Sequence, residues 1–258
     1  MSRAPLSIVA TALDSGFNGV VTTSTEPTIA RTARERARIE LTDEIKRVGR
    51  RHLTEHGAAG LSLRAVAREV GMVSSAVYRY FPSRDDLLTA LIIDAYDAVG
   101  AVAEAAEARG RGRSTGSRLL EVCEALRMWA RENAHEYALI YGSPVPGYAA
   151  PEATIGPASR VPFVLLRLVV EGVERGDIVA GDPASMPRVL HADFAQLRKV
   201  VAPGVPDNVL ARVFALWAQV LGNINLEMFG HLHNVIHDYD AFFTSQMRRA
   251  CELLVAGQ

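Results

Sequence analysis

The chain has 258 residues, 49% of them apolar, and 28 basic against 29 acidic side chains give a net charge of −1. That length suits one small domain plus one of ordinary size, and the apolar share is ample for a real core. Cys123 and Cys251 are the two cysteines, which excludes a disulfide framework, fits a reducing cytoplasm, and leaves both to act as small buried hydrophobes.

Residues 1–33 are rich in Ser, Thr, Ala and Gly, with no sustained period. Their apolar run is broken by Asp14 and lacks a cleavage region, so an N-terminal arm is expected rather than a secretory signal. Arg31, Arg34, Arg36 and Arg38 either reach a minor groove, as other N-terminal arms do, or form a solvated basic helix start. Residues 34–56 place Ile39, Leu41, Ile45, Val48 and Leu53 at helical spacing among charges, which predicts a scaffold helix.

The segment SLRAVAREVGMVSSAVYRYFPSRDDLL, residues 62–88, is the most informative in the chain. Ser62 stands where an N-cap belongs, and Leu63, Val66, Ala67 and Val70 follow with a helical period. Gly71 supplies the positive φ that closes the first helix. Met72, Ala76, Val77 and Phe81 then give a second helix its apolar side, leaving Ser74, Ser75, Tyr78, Arg79 and Tyr80 as a polar and aromatic face suited to groove edges and phosphates. Pro82 suits the first turn of a third helix, Ser83 its cap and Asp85 and Asp86 its acidic start, with Arg84 open to a phosphate. This is a helix-turn-helix pattern. Charge divides the same way: residues 31–84 carry twelve Lys/Arg against six Asp/Glu, and residues from Asp85 onward carry 15 against 21. A basic half raises phosphate affinity, and an acidic half is repelled from a duplex.

Over residues 36–90 the chain resembles the DNA-binding domain of the TetR family of bacterial transcription regulators, whose hallmark is a helix, Gly, a helix ending Tyr-x-Tyr/His-Phe, and a Lys or Arg just inside the next helix. The resemblance implies Ser62 and Arg64 on phosphates, Ser74, Ser75, Ala76 and Arg79 toward the major groove, and Tyr78, Tyr80 and Arg84 on the DNA backbone. Tyr78 and Tyr80 have a second reading as partly buried core aromatics. Val73 departs from the small polar cap usual in the family, which makes Ser74 the alternative cap.

Beyond this point every element reads as helix. A long helix over 83–108 carries Leu87, Leu88, Leu91, Ile92, Ala95 and Val99 on one side, and RGRGRSTGS ends it near Gly110. Helices follow over 116–133 and 134–141, then a Pro- and Gly-rich loop to Ser159 and a helix over 160–175. A looped segment holding Pro183, Pro187, Pro203 and Pro206 precedes two last helices, over 207–229 and 238–256. No stretch reads as long and apolar enough to cross a bilayer, so no membrane partner is expected.

HEYALIYGSPVPGY (135–148) and LWAQVLGNINLEMFGH (216–231) resemble the ligand and dimerisation domain of one TetR subgroup, marked by its YGSPVPGY loop. The implied fold is all-α: an arm over 1–33, a three-helix DNA-binding domain over 34–82, and a larger ligand-binding and dimerisation domain over 83–258. The implied partners are operator DNA, a second copy of the chain and a small effector. Val209, Val213, Leu216, Trp217, Val220, Leu221, Ile224 and Met228 form a stripe too broad for one neighbouring helix, as do Phe242, Phe243, Met247, Ala250, Leu253 and Leu254. A homodimer interface centred on Val213, Trp217, Val220, Ile224, Phe243 and Met247 is therefore expected, with an internal core helix as the other reading. Trp129, Tyr137, Tyr141, Phe163, Leu166 and Phe194 are the candidate walls of an effector site, or plain core.

The sequence also allows two other functions. His231, His233 and His237, with Glu227 and Asp238, suggest a metal-responsive regulator; the odd start of the recognition helix suggests an interaction module that lost DNA binding. No Ser/His/Asp, paired-carboxylate, glycine-rich phosphate or Cys/His set stands at telling spacing, so neither catalysis nor a cofactor is expected.

Overall fold

The computed structural model describes residues 32–181 and 187–256; residues 1–31 of the expected arm, and Pro183, lie outside the described residues. Among the described residues the chain forms ten α-helices and no strand. They gather into two compact units, one of residues 32–95 with 135–154, the other of residues 96–134 with 155–256.

In the first unit, α1 (Ala33–His56) starts at a capping box: Thr32 Oγ1 accepts from the Glu35 amide at 3.2 Å, and Glu35 accepts from the Thr32 amide at 2.7 Å. α2 (Leu63–Glu69) and α3 (Ser74–Val77) form the helix-turn-helix, and α4 (Arg84–Arg109) begins the third helix of the motif. Ile45, Val48, Leu53, Val66, Ala67, Val77, Phe81, Leu87, Leu88 and Leu91 are buried, while Ile39 stays exposed. Each fully buried Leu, Ile or Val stabilises the unit by about 1.5–3 kcal/mol. α6 (Ala134–Tyr141) adds Tyr137 and Ile140, and burial pushes the Tyr137 phenol far above its ordinary pKa. Arg50 reaches Glu136 at 3.3 Å, and the hydroxyls of Tyr148 and Thr89 meet at 2.9 Å, so the loop after α6 is tied to this unit.

In the second unit α5 (Thr115–Glu132), capped by Ser114, is buried on most of its circumference. α7 (Ile155–Glu174), α9 (Asp207–Met228) and α10 (Tyr239–Ala256) pack around it, and α8 (Leu190–Val200) packs on α9. Arg127 of α5 donates to Glu227 at 2.6 and 2.9 Å, pairs with Asp240 at 2.7 Å, and lies 5.2 Å over the Phe243 ring. Cys123 and Cys251 are buried, and the Cys123 thiol is held protonated by its hydrogen bond to Cys251 and by burial.

Several boundaries differ from expectation for identifiable reasons. Pro82 lies outside α4; Ser83 caps that helix, accepting from the Asp86 amide at 3.1 Å. α7 starts five residues earlier than expected, at Ile155, because Pro157 falls in the first turn, where no amide is required. Between Pro187 and Pro203 the chain forms α8 rather than a loop. Contrary to the sequence reading, residues 152–174 and 207–228 are long and apolar enough to cross a membrane. Both helices bury a face inside this unit, and α7 carries Arg160 and Arg167 in ion pairs with Asp97, Glu104 and Glu107, a pattern costly in lipid.

Candidate DNA-binding surface

Ser62 is the N-cap of α2, its hydroxyl accepting from the Ala65 amide at 3.5 Å. Seven residues later α2 ends, and Gly71 turns the chain at φ +78°, where a side chain would be strained. Val73, not Ser74, is the N-cap of α3; it is extended, offers no side-chain hydrogen bond, and leaves Ser74 as the first helical residue. α3 itself is one turn long. The backbone nevertheless keeps coiling, with Tyr80 and Phe81 amides donating to Val77 O at 2.9 and 3.0 Å. Val77 and Phe81 anchor this turn in the core.

Ser74, Ser75 and Arg79 are exposed, Tyr78 retains 41% of its surface, and Ala76 and Tyr80 are half-buried. Arg64 is exposed on the neighbouring face of α2. One turn on, Arg68 is exposed too, and an open groove runs between α2 and α3, lined by Ser62, Arg64, Ala65, Arg68, Gly71, Met72, Val73 and Ser74. The sequence reading passed over Arg68, and noted Val73 only as a departure from the usual cap. The i, i+4 spacing from Arg64 was the available signal for Arg68; nothing in the sequence distinguishes the exposed Val73 from a buried valine.

Arg84 is engaged within the protein. Its guanidinium donates to Ala58 O at 2.6 Å, Leu61 O at 3.2 Å and Asp85 at 3.0 Å, so it binds the turn that delivers Ser62 to the groove. Ala58 O also accepts from the Leu61 amide at 3.4 Å, and Arg84 adds charged donors to it and to Leu61 O. Part of the basic excess is likewise spent locally: Lys46 and Arg50 bind Asp94, Arg47 binds Glu44, and Arg51 binds Glu69. The Glu69 carboxylate also meets His52 Nε2 of α1 at 2.7 Å. Burial, the residue being 6% exposed, lowers the His52 pKa, and the neighbouring charges of His56, Arg51 and Arg68 act in the same direction.

The remaining sequence candidates separate. Tyr137 and Tyr141 meet in the first unit with ring centroids 5.3 Å apart. In the second unit Trp129 and Leu166 are buried, Phe163 is half-buried, and Phe194 stacks on Phe214 at 5.9 Å. Val213, Val220, Ile224, Phe243 and Met247 are buried among the chain's own helices, whereas Trp217 is half-buried. The buried part of each stripe is covered from inside, by α5 and by the other stripe. His231, His233 and His237 are exposed; among the described residues no three or more His, Cys, Asp or Glu side chains gather to hold a metal. Glu227 is engaged by Arg127, and Asp238 accepts from the Ala241 amide at 2.8 Å. The metal-responsive reading therefore fails.

A helix-turn-helix with a basic, hydroxyl- and aromatic-bearing outer face, attached to a larger helical unit, defines a DNA-binding regulator class. Residues 45–91 match the family described as bacterial regulatory proteins, tetR family, and residues 119–250 match the tetracyclin repressor-like C-terminal domain. The chain is 42% identical over 225 residues to the HTH-type transcriptional regulator Rv1816 of Mycobacterium tuberculosis (strain ATCC 25618 / H37Rv), covering 86% of this chain and 94% of that one. The regulator Mb1846 of Mycobacterium bovis matches to the same extent. Among solved structures, regulatory protein SCO4313 superposes with a TM-score of 0.70 at 30% identity, covering 85% of this chain and 98% of that one. The chain belongs to the TetR family of DNA-binding transcription regulators.

Proposed function

We propose that this protein is a dimeric repressor that releases a palindromic operator when a small apolar or aromatic effector binds. The observation that carries the DNA reading is the exposed set Ser74, Ser75, Tyr78 and Arg79 facing Arg64 and Arg68 across the Gly71 turn. Hydroxyls and guanidinium groups at this spacing contact phosphates and base edges, and Tyr80 adds a second phenol. Arg84 acts by holding the Ala58–Leu61 turn in place.

The second copy packs on the outward face of α9, where Ala215, Ala218, Gln219, Leu226 and Phe229 are exposed. Twofold symmetry then sets two copies of α3 about 34 Å apart, one DNA turn. The effector contacts are drawn from Trp129, Phe163, Leu166 and Phe194 of the second unit. Because Trp129 and Leu166 are buried, binding requires the core around them to open. An effector that fits the opened arrangement better shifts the population toward it and lowers operator affinity. We assign the chain to the subgroup carrying the YGSPVPGY loop, and place its action in the cytoplasm, where the operator lies.

The test is binding to the promoter duplex beside the protein's own gene, with Tyr78→Ala and Arg79→Ala as probes. Both substitutions are at exposed positions and are expected to weaken the complex at least tenfold with unchanged thermal stability. Undiminished affinity in both variants would mean that the helix-turn-helix no longer reads DNA and that the chain is an interaction module.

A further inference from the structure

Val73 is the most conspicuous side chain of the helix-turn-helix that no folding role explains. It is 71% exposed, the highest exposure among the large apolar residues of the first unit. It occupies the position before α3 where Ser, Thr, Asp or Asn would accept a free amide, and it makes no such bond. An apolar, β-branched residue here therefore removes a cap and places two methyl groups in water. Around it stand polar and cationic groups: Arg64, Arg68, Ser62 and Ser74 line the same groove, and Ser75 and Arg79 are exposed beyond it. The positive charge draws a duplex to this surface, and the start of a recognition helix is the part that approaches base edges in the major groove. The major groove offers one apolar feature, the C5 methyl group of thymine.

We propose that Val73 is a specificity-determining residue that packs on a thymine methyl in each operator half-site. The inference rests on the DNA-binding reading given above. Ser74 and Ser75, next in the chain, then bond the polar edge of the adjacent pair, while Arg64 and Arg68 fix the register on phosphates. The half-site accordingly contains one A·T pair at which the methyl group, and not the hydrogen-bonding edge, is read. Losing one buried methyl contact costs about fourfold in affinity per half-site.

The experiment begins with selection from a random duplex pool by the full-length protein, followed by synthesis of the selected duplex with uracil replacing thymine, one position at a time. Uracil lacks only the methyl group. The wild type is expected to lose about fourfold at one thymine per half-site, and Val73→Ala to bind the thymine and uracil duplexes equally. Val73→Ser should restore a cap, raising the thermal midpoint, while losing the methyl preference as Val73→Ala does; a purely structural valine would not separate the two readouts. If the wild type enriches a sequence but Val73→Ala keeps the same thymine-to-uracil ratio at every position, the inference is overturned and the DNA reading stands. If the wild type enriches no sequence over a random duplex, the DNA reading itself falls, and this assignment with it.

Discussion

Gly100, inside α4, should reverse the usual effect of a glycine-to-alanine change. In an ordinary helix interior that change stabilises by about 0.5–1 kcal/mol, because alanine loses less backbone entropy on folding. Here a Cβ would stand 2.8 Å from both Cβ and Nε of Arg160 and 2.9 Å from its Cδ. Arg160 cannot yield easily. Its Nε and NH2 groups donate to both oxygens of Glu104 at 2.9 and 2.7 Å, and NH1 donates to the Asp97 carboxylate at 2.8 Å and to its carbonyl at 2.9 Å. That grip holds the Glu104 carboxyl below the usual carboxylate range. Overpacking at a fixed contact costs about 1–3 kcal/mol. The ion pairs themselves, with side chains 30–49% exposed, add about 1 kcal/mol or less if they break. Gly100→Ala should therefore destabilise by about 1–2 kcal/mol net, lowering Tm by about 2–8 °C. In an Arg160→Gly background, which removes the Arg160 Cβ as well as the guanidinium, the same change should stabilise by about 0.5–1 kcal/mol. Thermal unfolding followed by far-UV circular dichroism on the four proteins of this cycle reads both signs. A Gly100→Ala protein at least as stable as the wild type would refute the close approach of α4 and α7 at this point.

Two further substitutions probe the first unit. Arg84→Lys should lower stability by about 1–3 kcal/mol in urea unfolding, since an ammonium cannot reproduce the fork to Ala58 O and Leu61 O and leaves a carbonyl unpartnered; unchanged stability would return Arg84 to a phosphate-binding role. His52 should make the first unit acid-sensitive: burial lowers its folded pKa, so the unfolded chain binds the proton more readily. Its contribution is complete above the unfolded pKa of about 6.5 and is lost as pH falls through the folded value. The urea midpoint of the wild type should drop between about pH 7.5 and 5.5 more than that of His52→Gln, and parallel slopes would exclude His52 as the cause.

What the sequence made legible was local. Ser62, Gly71 and Ser83 are punctuation whose meaning depends on a few neighbouring amides, and the structure uses each as expected: a cap, a turn at φ +78° and a cap. Proline was the weaker guide. Pro157 sits in a first turn, where its missing amide is harmless, so α7 extends into the supposed loop. The prolines around 183–206 bracket α8 rather than forbid it; Leu190, Phe194 and Leu197 carry its helical period. Arg84 and Val73 were illegible for a different reason. Whether a guanidinium meets a phosphate or the carbonyl of a residue 26 positions away, and whether a valine is buried, depend on where other elements stop.

The dimer stripe shows the same limit at larger scale. An apolar face on α9 that includes Val209, Val213, Leu216, Val220 and Ile224 states how much surface must leave water, but not which chain covers it. In this protein α5 is buried on most sides and stands against both α9 and α10, so the broad stripes close on one central helix. Arg127 completes that closure by bonding Glu227 of α9 and Asp240 of α10 at once, a buried cation whose partners fix both helices to α5. The outward positions that remain on α9 are small at Ala215 and Ala218 and apolar at Leu226 and Phe229. Small side chains permit close approach of a second helix, and large apolar ones at the helix end supply area to bury. The physical case for a symmetric partner therefore rests on these outward residues together with Trp217, Met228 and Leu253, which the hydrophobic period also selects and which the chain leaves partly exposed.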